Sequence, residues 1–304
     1  MNRRNFITNT LASTTALASA TEAIGKKNMK TDLEVLVMAT NWGFEGSNEQ
    51  LCKKVKALGY DGIEVWWPTN ADAYKDLMNA LQKHELQVGF LCGGSDSNFE
   101  KHQTQFKTAV SEAVKSPIQK PLYINCHSGR DYFEASQNSK LIDFTIEKSE
   151  QSGVGIYHET HRSRMCFAAH ITKTFLEKHP KMKLTLDISH WTNVHESLLE
   201  DQPDAVKLAL QHTEHIHARI GHQEGPQVND PRAPEWKATL DKHLGWWDEV
   251  IKNKEKAGSK RITFLTEFGP PNYLPTLPYT LQPVADQWDI NIYMLNLLKN
   301  RYTK

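Results

Sequence analysis

The chain has 304 residues, with 36 Lys and Arg against 36 Asp and Glu and a hydrophobic fraction of 39%. That balance leaves no basic excess to hold nucleic acid and no acidic tail, and the apolar share suits a globular protein with a sizeable core. Beyond the N-terminal segment no run of about 18 apolar residues occurs, so nothing there is expected to span a membrane.

Residues 1–20 read MNRRNFITNTLASTTALASA. Arg3-Arg4 precede Phe6-Ile7, a mildly apolar stretch follows, and Ala18-Ser19-Ala20 closes it in the manner of a small-residue cleavage site. The paired arginines resemble a twin-arginine export signal. Residues 1–30 are therefore expected to be signal and linker, and the mature protein to be periplasmic or secreted. From residue 33 onward, short apolar runs alternate with amphipathic segments. Strands are expected at 33–38, 62–66, 86–91, 121–126, 153–157, 184–188, 215–218 and 261–266. Helical spacing occurs at 48–58, where Leu51, Val55 and Leu58 share a face, and at 71–84, 167–179, 205–212, 245–258 and 284–300. Eight strand–helix units in about 270 residues match the size of an α/β (β/α)8 TIM barrel, a single domain over residues 31–304. The run LEVLVM is continuous rather than alternating, as a parallel strand buried on both faces should be. A doubly wound sheet would need a phosphate-binding glycine loop after its first strand, and MATNWGFEG is not one.

The four cysteines, Cys52, Cys92, Cys126 and Cys166, form no C-x-x-C pair, so a thiolate zinc site is not expected. An exported protein could carry one disulfide, but the spacing does not say which. The fourteen histidines and eight tryptophans are many for the length and suggest metal ligands and an aromatic-lined pocket.

Polar residues gather at the predicted strand ends. Glu64 lies in GIEVWW, His127 in YINCHSGR, Glu159 in GIYHETHR, Asp187 and His190 in LTLDISHW, His217 in HIHARIGH, and Glu267 in ITFLTEFG. In a barrel all C-terminal strand ends face one mouth, where the active site lies. YHETHR is not the zinc-protease H-E-x-x-H, because its histidines are three apart. On a strand, Glu159 and His161 point one way and His158 the other, which leaves His158 a structural role. Carboxylates converging on one mouth would repel one another unless a cation neutralised them. The economical reading is a divalent metal held by Glu159, Asp187, His217 and Glu267. Three carboxylates and one imidazole favour manganese, magnesium or cobalt, with zinc admissible. Trp42, Trp66 and Trp67 follow strands one and two, suitably placed to wall a sugar ring. Arg162, Arg164 and Arg219 are candidates to pair with an anionic group.

These motifs, in this order, resemble the xylose isomerase-like barrel superfamily, in its sugar isomerase/epimerase branch. The residues that carry the likeness are GYDGIEVW, Glu159, DISH, HIHARI and TEFG, and it covers residues 33–304. The resemblance implies that Glu159 and Glu267 both bind metal and move protons. One would remove the proton alpha to a carbonyl, giving a metal-stabilised enediolate, and the other would return it on the opposite face. It also implies that His190 contacts a substrate oxygen. His127 and His161 are further substrate-binding candidates, with Glu64, Trp42, Trp66 and Arg219. The expected partner is a small carbohydrate, with no nucleic acid; homo-oligomerisation is left open.

Two positions depart from the branch. Epimerases of free ketoses carry an arginine six past the strand-seven histidine and a second glutamate six past the strand-five one. Here these positions are Gln223 and Met165, which puts a free-ketose substrate in question. The loop HQEGPQVNDPRAPEW is expected to reach over the mouth with Glu224, Asp230 and Arg232. A lyase or dehydratase acting on an inosose or a 3-keto-glycoside is the main alternative. It would use the same enolate, with His190 or His127 as general acid. A type IV apurinic endonuclease is disfavoured, because Asp230-Pro231-Arg232 lacks the third-site histidine and the net charge is zero. A non-catalytic sugar-binding barrel would have no need of both Glu159 and Glu267.

Overall fold

A computed structural model describes residues 29–68 and 70–304. The export-signal reading of residues 1–20 lies outside them. In chain order the elements are β1 (Glu34–Thr40), α1 (Asn48–Leu58), β2 (Gly62–Trp66), α2 (Ala71–Lys83), β3 (Gln87–Gly93), α3 (Phe99–Ala113), β4 (Tyr123–His127), α4 (Ala135–Ser152), β5 (Gly155–Glu159), α5 (Ala169–Lys178), β6 (Leu184–Leu186), α6 (Ile188–Val194), α7 (Pro203–His212), β7 (Thr213–His217), α8 (Lys237–Lys256), β8 (Arg261–Leu265) and α9 (Gln287–Tyr302). The eight strands form a closed barrel in sequence order. Closure is parallel, with Glu34 of β1 opposite Arg261 of β8 and Met38 opposite Leu265. The expected (β/α)8 barrel is the observed one.

Local chemistry sets the element ends. Ser47 and Gln50 form a reciprocal capping box at the start of α1, and Gly59 ends it at φ 86°, a left-handed conformation that costs glycine little. The sequence did not single out α3 or α4. Their buried faces carry His102, Asn138, Ser139 and Thr145 among the apolar residues, which blurs the stripe.

The core has two zones. Outside the barrel, Phe264 of β8 packs against Trp247 of α8 and stacks on Tyr302 of α9. Inside, the filling is unusually polar. Alternation turns Tyr123, Asn125 and His127 of β4 inward, with His215 and His217 of β7 facing them. Tyr123 stacks on His215 with centroids 4.2 Å apart. Glycine at position 89 of β3 makes this fit, since a Cβ there would lie 2.5 Å from the Tyr123 ring. Cys52, Cys92, Cys126 and Cys166 are all buried and unpaired.

Candidate active site

Strand alternation places the chemistry. On β5, His158 faces the helices, with Nδ1 2.6 Å from Ser128 Oγ and Nε2 2.7 Å from Thr145 Oγ1. Its neighbour Glu159 faces inward and is 1% exposed. Glu159 Oε2 accepts a hydrogen bond from Asn125 Nδ2 at 2.7 Å and lies 3.1 Å from His127 Nε2. Glu159 Oε1 has no partner. β6 is only three residues long, so Asp187 follows it directly and caps α6, where Oδ1 accepts from the Ser189 amide at 3.2 Å. Asp187 Oδ2 contacts Arg219 Nη2. His217 ends β7, with Nδ1 2.9 Å from Glu267 Oε2 and 3.9 Å from Glu159 Oε2. Glu267 Oε2 also lies 3.6 Å from Arg219 Nη1, so it is ion-paired to both His217 and Arg219.

The structure brings three of the four expected ligands into one group. One ligand atom from each of Asp187, His217 and Glu267 lies within 4.8 Å of the others, and Glu159 joins through Asp187 and His190 at the same spacing. Buried polar atoms in proteins are almost always satisfied. Here Glu159 Oε1 is not, and Glu159 borders Asp187, which it shares with His217 and Glu267. Glu64, Glu159, Asp187 and Glu267 set four carboxylates around His217 and the one guanidinium of Arg219, an acidic excess that a divalent cation would offset. The residues fit a hard or borderline divalent metal.

The electrostatics agree. Burial opposes charge on His217, but the Glu267, Glu159 and Glu64 carboxylates outweigh it and raise its pKa well above the ordinary value. Burial likewise opposes charge on Glu159, but His127 and His217 hold its carboxyl well below the usual range. Burial against Arg219 is outweighed by Asp187 and Glu267, which raise its pKa. His161 is pushed down to about 3, mainly by burial, and is neutral at pH 7.

A cavity of about 390 Å³ opens beside these groups, lined by Thr40, Trp42, Glu64, Trp66, His127, His161, Arg219, Glu267 and Tyr273 among others. Trp42 meets Tyr273 edge to face at 4.8 Å, and Trp66 meets His127 in the same way at 5.3 Å. Of the expected substrate-binding residues, Trp42, Trp66, His127, His161, Arg219 and Glu64 reach this cavity. Glu64 is nonetheless 3% exposed, and its oxygens lie 3.2 Å from His215 Nε2 and 3.3 Å from His217 Nε2. His190 does not reach the wall. It is fully buried behind His161, whose ring is 3.9 Å away, and Arg219 Nη2 is 2.8 Å from its Nε2. Glu224, Asp230 and Arg232 do not line the cavity. Asp230 and Arg232 pair with each other at 2.7 Å, and Arg232 lies over Tyr293.

Two contributors were not anticipated. Asn125 donates to Glu64 and Glu159 and lies 3.2 Å from His217 Nε2, tying three site residues together. It is two residues before His127, so alternation could have found it. Tyr273, in the segment after β8, lies against both Arg162 and Arg219, at 5.1 and 4.9 Å. No periodicity marks it.

Comparison with known proteins agrees on the scaffold. The 3-keto-D-glucoside 4-epimerase of E. coli superposes with a TM-score of 0.59 at 11% identity, covering 88% of this chain and 99% of that one. A xylose isomerase-like TIM barrel protein from Mycobacterium smegmatis, in complex with magnesium, gives 0.59 at 10%, over 88% and 97%. This chain has the xylose isomerase-like TIM barrel fold. The IOLI protein with a bound zinc atom shares that fold at a TM-score of 0.56 and 16% identity, over 90% of this chain and 100% of that one. No family model matches the sequence, and no curated protein matches it. Identities this low show the (β/α)8 barrel fold alone and leave the reaction to the site.

Proposed function

We propose that this barrel is a divalent-metal-dependent carbohydrate isomerase or epimerase. The observation that carries the reading is the cluster of Asp187, His217 and Glu267, with Glu159 beside Asp187, next to a cavity of sugar size walled by Trp42 and Trp66. When bound, a divalent cation would act as a Lewis acid on a substrate carbonyl and its neighbouring hydroxyl. Likeness of fold to an epimerase, and to proteins holding magnesium and zinc, supports the same reading.

Each residue has a task in this reading. Glu267, which lines the cavity wall, takes the proton from the carbon next to the carbonyl. Glu159 lies one layer deeper and returns a proton through its contact with His127, 3.1 Å away and at the wall. Arg219, fixed by Asp187 and Ser189, offers a guanidinium to an oxygen that gains negative charge. Asn125 holds Glu159 aimed through its hydrogen bond to Oε2. Trp42 and Trp66 exclude water and stack on the ring.

The position of His127 favours a second reading. It lines the cavity and lies 3.1 Å from Glu159 Oε2, and it could protonate a leaving group in a lyase or dehydratase acting on a 3-keto-glycoside or inosose. Metal analysis followed by turnover of ketoses, inososes and 3-keto-glycosides in D2O separates the readings. Deuterium in recovered or isomerised sugar supports proton transfer, and a dehydrated or cleaved product supports the lyase. Full turnover by Glu267→Gln would overturn the assignment of the base. The export-signal reading of the N-terminus proposes a periplasmic or secreted location, testable by fractionating cells that express the full chain.

A further inference from the structure

We infer that a second cavity beside the catalytic mouth, built around Arg130 and Arg164, is an anion-binding subsite for a distal, acid-bearing part of the substrate. This deepens the carbohydrate reading above and rests on it for the nature of the occupant. The cavity measures about 580 Å³, and its lining includes Trp66, Gly93, Gly94, Arg130 and Arg164. Trp66 lines the catalytic cavity as well, and at 52% exposure it forms a shared ridge between the two. The partition is thin. Position 93 is glycine, and a Cβ there would lie 3.3 Å from His127 Cβ and 3.4 Å from the Trp66 ring. A sugar unit bound beyond the reacting one would cross this indole, an apolar platform suited to a pyranose face.

The two arginines lack the partners that buried arginines normally have. Arg130 Nη2 donates to the Ser95 carbonyl at 2.9 Å, and the Arg130 carbonyl accepts from Asn138 Nδ2 at 3.0 Å, so this side chain is pre-positioned. Arg164 is held in the turn after β5, where its amide donates to the His161 carbonyl at 3.1 Å. Arg130 Nε and Arg164 Nε and Nη1 are enclosed without any acceptor. Among the described residues neither guanidinium has a salt-bridge partner. Burial, followed by the adjacent Arg130 charge, lowers the Arg164 pKa. Two half-buried like charges with unpaired donors are costly unless an anion joins them. Guanidinium forks match the paired oxygens of a carboxylate or phosphate. Glu112 also lines the cavity, but it accepts from Trp67 Nε1 at 3.1 Å. The bound anion therefore belongs on the arginine side. With a net charge of zero, the pair is not part of a general basic surface for polyanions.

The test is an NMR titration of the arginine Nε–H resonances in the metal-loaded protein, with D-glucuronate, inorganic phosphate and D-glucose as separate probes. Arg219 reports binding at the catalytic mouth and serves as the internal control. Glucuronate or phosphate should shift Arg130 and Arg164 saturably, and glucose should not; the tighter anion identifies the acid group. Arg164→Gln and Arg130→Gln should each weaken anion binding by about tenfold or more, and Arg164→Lys should weaken it less. The inference is overturned if no anion shifts the two resonances, if glucose shifts them equally, or if the Gln variants bind the anion as wild type does. If the anion binds as described but the D2O screen shows no sugar chemistry, the carbohydrate reading fails and the anion site stands. Sugar chemistry without any arginine shift gives the reverse.

Discussion

Adjacent residues on β5 make opposite uses of burial. His158 and Glu159 are each 1% exposed, but they point to opposite faces of the barrel wall. His158 meets a hydroxyl at each ring nitrogen, and burial pushes its pKa down to about 3. Its polar atoms are satisfied, so its work is structural. Glu159 keeps its charge against burial and leaves one oxygen unpaired. The same contrast holds across the molecule. His243, on the buried face of α8, is satisfied by the Thr239 carbonyl at 2.9 Å and the Gly221 amide at 3.3 Å. Inside the barrel mouth, Glu159 Oε1 is not satisfied. An unpaired buried polar atom stores a cost that only a ligand relieves, which makes satisfaction a better guide to function than burial or charge.

Substitutions on the two faces should therefore fail in different ways. The largest effect is expected at Glu267→Gln, where kcat/KM should fall by about 10²–10⁴-fold, the usual contribution of a general base. The fold should persist, since one like charge leaves a crowded site; circular dichroism and a thermal melt would check this. His158→Leu should do the reverse. It removes the buried hydrogen bonds to Ser128 and Thr145, each worth about 0.5–1.5 kcal/mol, so the urea midpoint drops while activity per folded molecule survives. Equal loss of activity in the two variants would break the distinction between the faces.

Most of the fold was legible because parallel barrel strands are continuous apolar runs and their ends carry the polar residues. Glu159, Asp187, His217 and Glu267 were all readable from position alone. Glu64 was expected to face substrate. It borders the cavity but is held against His215 and His217, a three-way contact across β2 and β7 that no local pattern encodes. Asp230 and Arg232 were expected over the mouth. Opposite charges two residues apart satisfied one another instead, and sequence spacing cannot tell a loop that pairs internally from one that reaches out. Asn125 was on the right face of β4 but carries no charge to draw notice.

A divalent cation should stabilise the inward face only. At a concentration one hundred times its Kd it should add about 2.7 kcal/mol to unfolding, read as a rise in thermal midpoint. His217→Ala should abolish that rise, and His243→Gln should keep it. A chelator that left the wild-type midpoint unchanged would remove the metal from the site.

The smallest effect tests the outward face by pH. His158 and His243 are held neutral in the folded chain, mainly by burial, with pKa values pushed down to about 3 and about 4. In the unfolded chain each titrates near 6.5. Above that value neither state binds the proton, and folding is indifferent to pH through these groups. Below it the unfolded chain takes up protons that the folded chain refuses, so stability falls as pH falls. The loss approaches about 1.4 kcal/mol per pH unit for each histidine and levels off near the folded values. Urea unfolding at pH 7, 6 and 5 should show this acid slope, and His243→Gln should remove its share while leaving that of His158. A slope unchanged in that variant would mean that His243 is free to take a proton in the folded protein, and its satisfied position would no longer distinguish it from the histidines of the mouth.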